Sequence, residues 1–126
     1  MKIRVYYEDT DIGGIVYHSK YLNFCERARS EYFFKNGSTP ILENGHFVVR
    51  HLDANFLRSA TLGDELEVKS EVVAFKAASF TLLQSIYLKE QKVFDMRVKL
   101  AFLTHNNSVQ KIDESTKEVL LTIFKD

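Results

Sequence analysis

The fold is decided by residues 17–37, YHSKYLNFCERARSEYFFKNG. Apolar side chains in this stretch recur every three or four residues, which is the spacing of one face of an α-helix; they are Tyr17, Tyr21, Phe24, Cys25, Ala28 and Tyr32. Asn36 and Gly37 form a stop signal. Phe33 and Phe34 spread apolar surface further around the helix. Because a helix that is apolar on most sides is usually wrapped by other structure, we expect a curved sheet around it.

Alternating apolar and polar residues predict strands on both sides of this helix. One strand is predicted over residues 2–7, with Ile3, Val5 and Tyr7 on the same face. Four more strands are predicted after the helix, around residues 51–56, 65–73, 79–88 and 95–102. Short connections between them indicate an antiparallel meander.

A second, shorter helix is predicted near the end of the chain. Ser115 and Glu118 have the spacing of a capping box. The apolar side of this helix is expected to consist of Ile112, Val119, Leu120 and Ile123. The predicted fold class is therefore α+β, with one long helix packed on one antiparallel sheet in a single domain over residues 1–126.

Composition excludes several classes of protein. The chain has 126 residues, with 17 basic and 17 acidic side chains, so it lacks the basic surface of a nucleic-acid binder. Its single cysteine, Cys25, excludes an intramolecular disulfide and suits a reducing compartment. No apolar run exceeds four residues, so no membrane-spanning helix is expected. These features predict a cytoplasmic protein.

The chemistry is concentrated in residues 7–18, YEDTDIGGIVYH. Glu8, Asp9 and Asp11 place three carboxylates within four residues. Gly13 and Gly14 follow, and glycine allows a ligand to approach the main chain closely. The helix then begins, and its unpaired N–H groups favour negative charge. A carboxylate that activates an attacking group and N–H groups that stabilise an oxyanion together suit acyl transfer.

Each of these residues also has a simpler interpretation. Asp11 alone is more often a loop acid or a helix cap, and Glu8 and Asp9 are expected to be solvated charges or partners of basic residues. His18 is a base, a substrate contact or only the start of the helix. The spacing of Asp9, Asp11 and His18 matches no metal motif, so no metal is expected. Cys25 lies on the apolar stripe and is expected to be an inert core thiol.

The segment RVYYEDTDIGGIVYHSKY, residues 4–21, followed by ERAR at 26–29, resembles the signature of the hotdog-fold thioesterases. More narrowly, it is similar to the 4-hydroxybenzoyl-CoA thioesterase family, in its YbgC branch of acyl-CoA thioesterases associated with the Tol-Pal envelope system. Residues 60–68, ATLGDELEV, also resemble the entry to a strand in this family. Many relatives have Pro where Ser59 stands, so the start of that strand is less well defined.

The resemblance implies roles for individual residues. Asp11 matches the catalytic carboxylate, which acts as general base or as nucleophile, and His18 matches a second polar group. The N–H groups just past Gly14 would polarise the thioester carbonyl. The residues that the resemblance places against the substrate are Tyr7, Gly14, Ile15, Val16 and Tyr17. It implies a five-stranded sheet, no metal or organic cofactor, and two domains paired edge to edge, with the active sites at their interface and further pairing into tetramers.

The expected activity is hydrolysis of short-chain or aromatic acyl-CoA to the free acid and CoA. One alternative is hydrolysis of acyl groups from acyl carrier protein. Another is a scaffold that binds acyl chains or acyl carrier protein in envelope or phospholipid metabolism. The anionic nucleotide of CoA should meet Lys or Arg, and Arg58 and Lys76 are candidates.

Overall fold

The structure is a computed structural model that describes residues 1–125. Within that range one long helix packs against a six-stranded antiparallel sheet, as the α+β prediction requires. The elements in chain order are β1 (Lys2–Arg4), a 3₁₀ turn (Tyr7–Asp9), α1 (His18–Lys35), β2 (Ile41–Leu42), β3 (Gly45–Phe56), β4 (Glu65–Lys76), β5 (Ser79–Leu88), β6 (Gln91–Leu103) and α2 (Glu114–Ile123).

The strands lie in the order β1-β4-β5-β6-β3-β2. Strands β4, β5 and β6 form a meander with short connections, as the sequence predicts. Strand β3 joins this meander by pairing with β6 from His46 to Phe56. Strand β2 covers only the first two residues of β3, so one edge of β3 is open from Phe47 to Phe56 within the described chain.

Helix α1 is confirmed by the structure, and its apolar face forms the centre of the core. The side chains of this face that are buried are Tyr21, Phe24, Cys25, Ala28, Tyr32 and Phe33. The helix ends as Asn36 and Gly37 predict: Gly37 has φ +73°, and the N–H groups of Gly37 and Ser38 donate to the carbonyls of Phe34 and Phe33. This pair of bonds is a Schellman motif, in which glycine adopts the left-handed conformation without strain. Tyr17 precedes the helix as its N-cap and is half-exposed.

Aromatic contacts show how α1 and β3 are oriented. Near the start of α1, Tyr21 contacts Phe56 at 5.9 Å between ring centroids. Near its end, successive ring contacts of 5.6, 6.0 and 5.1 Å join Phe33, Phe124, Phe80 and Phe47. The Phe56 end of β3 therefore lies beside the start of α1, and the Phe47 end lies beside the end of α1.

Four local predictions are wrong. The first strand ends at Arg4 rather than at residue 7, because Tyr7–Asp9 forms a 3₁₀ turn in which Tyr7 is 83% exposed. The sheet has six strands rather than five, because the two-residue β2 pairs with the start of β3. The N-cap of α2 is Asp113, whose carboxylate accepts the N–H of Thr116 at 2.7 Å, and the capping box at Ser115 and Glu118 does not form. On the same helix Val119 is exposed, whereas Ile112, Leu120 and Ile123 are buried as expected.

Candidate active site

Residues 7–18, which we call the site loop, fold into a narrow hairpin between the 3₁₀ turn and α1. Its two sides are joined by the Asp11 N–H bond to the Ile15 carbonyl and the Tyr17 N–H bond to the Asp9 carbonyl, both 2.9 Å. At the tip, Gly14 has φ +78° and donates its N–H to the carbonyl of Asp11 at 3.0 Å. Gly14 has no atom within 4 Å of the position that a Cβ would take, so this face of the tip is open.

Asp11 lies at this tip with an exposed side chain. Its Oδ1 accepts the N–H of Gly13 at 2.8 Å, an Asx-type turn that holds the carboxylate in one orientation. Its Oδ2 has no hydrogen-bond partner within residues 1–125. The carboxylate is therefore fixed at one oxygen and available for a reactant at the other.

His18 is the first residue of α1, and its ring is exposed next to two aromatic rings. The ring centroids of His18 and Tyr17 are 4.5 Å apart, and Phe56 meets His18 edge-on at 6.2 Å. The main-chain N–H groups of His18 and Ser19 belong to the first helical turn, where no intrahelical acceptor exists. In the described chain they find no other acceptor either, so they are free to donate to a ligand.

Two of the N–H groups expected to polarise a carbonyl are already in use. The Val16 N–H donates to the Ala60 carbonyl at 2.9 Å, and the Tyr17 N–H donates to the Asp9 carbonyl. The N–H groups that the fold leaves available past Gly14 are instead those of Ile15, His18 and Ser19, as far as residue 125. Val16 has a buried side chain, whereas those of Ile15 and Tyr17 are 38% and 46% exposed.

Asp9 is not the solvated charge that the sequence predicts, since it is only 2% exposed. Its Oδ2 accepts the N–H of Tyr6 at 2.9 Å, and its Oδ1 is buried without a partner in the described part of the chain. Together with the bond from Tyr17, this makes Asp9 the brace between the 3₁₀ turn and the start of α1. Glu8 is exposed, as expected.

The segment after β3 supports the site loop from the other side. The Ala60 N–H donates to the hydroxyl of Tyr21 at 3.1 Å, in a fully buried contact. Burial raises the pKa of this tyrosine, and the hydrogen bond from Ala60 opposes that rise. Ile15 pairs with Thr61 as an isolated bridge. The sequence marks Tyr21 only as an apolar helix position, and its polar role depends on a residue 39 positions away.

Other predicted features have simple outcomes. Tyr7 lies at the start of the site loop, where its carbonyl accepts the N–H of Thr10, and its ring points to solvent. Burial raises the pKa of Cys25 to about 12, which fits an inert core thiol.

Among residues 1–125, no three His, Cys, Asp or Glu side chains gather as metal ligands would. Nor does any helix of this part of the chain have the length and apolar character needed to cross a membrane.

Comparisons with known proteins agree with the geometry. The family model described as thioesterase superfamily matches residues 13–94. A protein of Helicobacter pylori strain 26695 named acyl-CoA thioesterase YbgC is 41% identical, over 98% of this chain and 100% of its own length. The acyl-CoA thioester hydrolase YbgC of Escherichia coli O6:H1 is 36% identical over 74% of this chain and 72% of its length. Among solved structures, a probable thioesterase from Bartonella henselae superposes with a TM-score of 0.83 at 31% identity, over 90% of this chain and 97% of that one.

Proposed function

The chain belongs to the thioesterase superfamily and is a hotdog-fold acyl-CoA thioesterase, and from that membership we propose that Asp11 is its catalytic carboxylate. The reaction is hydrolysis of an acyl thioester to a carboxylic acid and free CoA. The observation that carries the assignment is that Asp11 has one oxygen held by Gly13 and the other open, in the loop that leads into the free N–H groups at the start of α1.

Asp11 acts either as a general base or as a nucleophile. As a general base it takes a proton from water, the hydroxide attacks the acyl carbon, and the proton passes to the departing thiolate. As a nucleophile it forms an acyl anhydride while CoA leaves as the thiolate, and water then cleaves the anhydride. In both, negative charge develops on the carbonyl oxygen. The N–H groups of His18 and Ser19, reinforced by the helix dipole, stabilise it in this proposal.

The rest of the site loop surrounds the thioester. The left-handed conformation of Gly14 leaves the tip open, so the substrate can approach the main chain. The half-exposed side chains of Ile15 and Tyr17 provide apolar contact, and Val16 holds the loop in place through its N–H bond to Ala60. His18 orients the water or contacts the substrate. Tyr7 stands at the entrance of the loop, where its exposed ring can cover the substrate.

Replacing Asp11 with Asn tests the assignment. Asparagine retains an oxygen that can accept the Gly13 N–H, so the loop keeps its shape while the base or nucleophile is lost. We expect kcat to fall by at least about 10²-fold with little change in KM, measured by release of CoA from a panel of acyl-CoAs. Glu8→Gln removes a neighbouring exposed carboxylate and should retain wild-type kcat. Full activity in Asp11→Asn would refute the assignment.

We propose that two chains pair through the open edge of β3. Ten residues, from Phe47 to Phe56, leave their outward main-chain groups unpaired, and such an edge is a template for another strand. Pairing would also cover Val48 and Val49, which are 38% and 48% exposed. A catalytic carboxylate open to bulk water needs such a cover, because excluding water strengthens charge stabilisation. Sedimentation equilibrium should show a dimer or a tetramer, and a monomeric mass would overturn the pairing.

Acyl carrier protein is a second candidate carrier of the acyl group. The strand register pairs Lys99 with His51, which follows Arg50, and the cation of Lys76, with smaller effects from burial and Arg50, lowers the pKa of Lys99. Such a cluster suits a partner rich in phosphate or carboxylate groups, either the CoA nucleotide or an acidic carrier protein. Comparing kcat/KM for hexanoyl-CoA and hexanoyl-acyl carrier protein distinguishes them. If Lys99→Gln lowers kcat/KM for only one of the two thioesters, the carrier of that thioester is the one that binds the cluster.

We also propose the compartment in which the enzyme works and its range of substrates. The enzyme works in the cytoplasm, which the lone reduced Cys25 supports. Its preferred substrates are short-chain or aromatic acyl thioesters. Fractionation of cells and the acyl-CoA panel test these two points.

A further inference from the structure

Asp64 is a half-buried carboxylate in the connection between β3 and β4. Its Oδ2 accepts the main-chain N–H of Thr61 at 2.8 Å and the hydroxyl of Thr61 at 3.2 Å. Its own N–H donates to the Thr61 carbonyl at 3.1 Å, and its carbonyl accepts the N–H of Val5 at 2.8 Å. Although the neighbouring Glu65 forms ion pairs with two cations, Asp64 forms none among residues 1–125. The carboxylate therefore shapes the turn of residues 60–64, which we call the support turn.

The support turn contacts the site loop beside its tip. Thr61 pairs with Ile15 as an isolated bridge. The Ile15 carbonyl in turn accepts the N–H of Asp11 at 2.9 Å. A continuous series of contacts therefore leads from the carboxylate of Asp64, through Thr61 and Ile15, to the main chain of Asp11.

A second series of contacts leads from the support turn to the start of α1. Ala60 accepts the N–H of Val16 at 2.9 Å and donates its own N–H to the hydroxyl of Tyr21 at 3.1 Å. These two bonds hold the chain on both sides of the free N–H groups of His18 and Ser19. The same turn is thus bonded to the carboxylate side of the site and to its N–H side.

We propose that Asp64 is a positioning residue for the thioesterase reaction, which acts through the support turn by holding Asp11 in place relative to the free N–H groups of α1. This inference rests on the proposed function, in which Asp11 and those N–H groups act on the same thioester. A misplacement of reacting groups by about 1 Å can cost about 10²-fold in rate. Because Gly13 and Gly14 restrict the backbone of the tip less than other residues would, the restraint has to come from outside the loop.

Three substitutions of Asp64 separate the hydrogen bonds from the charge. In Asp64→Ala the N–H of Thr61 loses its acceptor, and we expect kcat to fall at least about 10-fold with KM within about 2-fold, on the best substrate of the acyl-CoA panel. Asp64→Asn retains an oxygen for both donors of Thr61, so its kcat should stay within about 2-fold of wild type. Asp64→Glu keeps the charge but moves the carboxylate by one methylene, so it should lose activity. An equal loss in Asp64→Asn and Asp64→Ala would show that the charge acts and not the turn, and would overturn the proposal.

Asp113→Ala is the matched control, because it removes the same kind of bond at the start of α2. The Asp113 carboxylate accepts the N–H of Thr116 at 2.7 Å, from three residues away, as Asp64 accepts that of Thr61. Asp113→Ala should lower Tm and leave kcat per folded enzyme unchanged, with the folded fraction measured by circular dichroism. A purely structural role for Asp64 would likewise leave kcat per folded enzyme unchanged in Asp64→Ala, and that result would overturn the proposal.

Amide hydrogen exchange, followed by NMR, tests the route from Asp64 to the site. The N–H groups of Asp11 and Val16 should exchange at least about 10-fold faster in Asp64→Ala than in the wild type or in Asp64→Asn. Unchanged exchange at both groups would overturn the proposal. If Asp64→Ala does not fold, Asp64→Glu replaces it in both measurements. Loss of turnover in Asp11→Asn together with full kcat in the Asp64 variants would leave the proposed function standing and refute only the role of Asp64.

Discussion

Removing one oxygen atom from Tyr21 should weaken both the fold and the site. In Tyr21→Phe the ring remains stacked on Phe94, at 5.2 Å between centroids, so little apolar burial is lost. The N–H of Ala60, which is fully buried, loses its acceptor. Leaving a buried donor unsatisfied costs about 1–3 kcal/mol. Because the Ala60 carbonyl also accepts the N–H of Val16, the start of α1 should shift and kcat should fall with the stability.

Urea unfolding at a fixed protein concentration measures this cost, since the stability of an oligomer depends on concentration. Tyr87→Phe is the control, because Tyr87 is a half-buried tyrosine whose ring faces Lys69 and whose hydroxyl has no hydrogen bond in the described chain. We expect the urea concentration at the midpoint of unfolding to fall for Tyr21→Phe, with no change in the dependence of the free energy on urea. The midpoint of Tyr87→Phe should equal that of the wild type. A loss below about 0.5 kcal/mol for Tyr21→Phe, typical of a surface substitution, would refute this reasoning.

Three other changes give distinct signatures. Burial raises the pKa of Cys25 from 9.0 to about 12. The protonated thiol therefore stabilises the folded state fully below pH 9, and this stabilisation is lost as pH rises from 9 towards 12. Urea unfolding at pH 8 and at pH 10.5 should show a smaller decrease in the free energy of unfolding between the two pH values for Cys25→Ala than for the wild type. In Gly45→Ala the new Cβ would meet the carbonyl oxygen of Leu103, so circular dichroism should show a large drop in Tm, and an unchanged Tm would contradict this contact. The Thr116 N–H lowers the pKa of Asp113. The ionised cap therefore stabilises α2 fully above pH 3.8, the ordinary pKa of the group, and this stabilisation is lost as pH falls through the lowered pKa. The decrease in Tm caused by Asp113→Ala should be larger at pH 7 than at pH 2.5.

The sequence predicts the elements whose signals are local. Helix α1 follows from its periodicity and from Asn36 and Gly37, because both act within a few residues. The four long strands follow from alternation for the same reason. Strand β2 was not predictable, since a two-residue strand exists only because β3 is beside it.

The candidate site was predictable in position and not in detail. The carboxylates, glycines and helix start locate the site loop around Asp11. The sequence does not show which N–H groups remain free, because the Val16 N–H donates to the carbonyl of Ala60, which is distant in sequence. The burial of Asp9 likewise follows from the hairpin path and not from its residue type.

The strand order also determines when the enzyme can assemble during synthesis. Strand β3 is made before β4, β5 and β6, yet its long partner is β6, which ends at Leu103. Helix α1 must likewise wait for the sheet that covers its apolar face, so the amino-terminal half emerges from the ribosome with its aromatic surface unsatisfied. The β4–β5 and β5–β6 pairings join strands that are neighbours in sequence, so they are expected to form first. Strand β3 then docks last, and the edge that we propose for pairing is created in the final step.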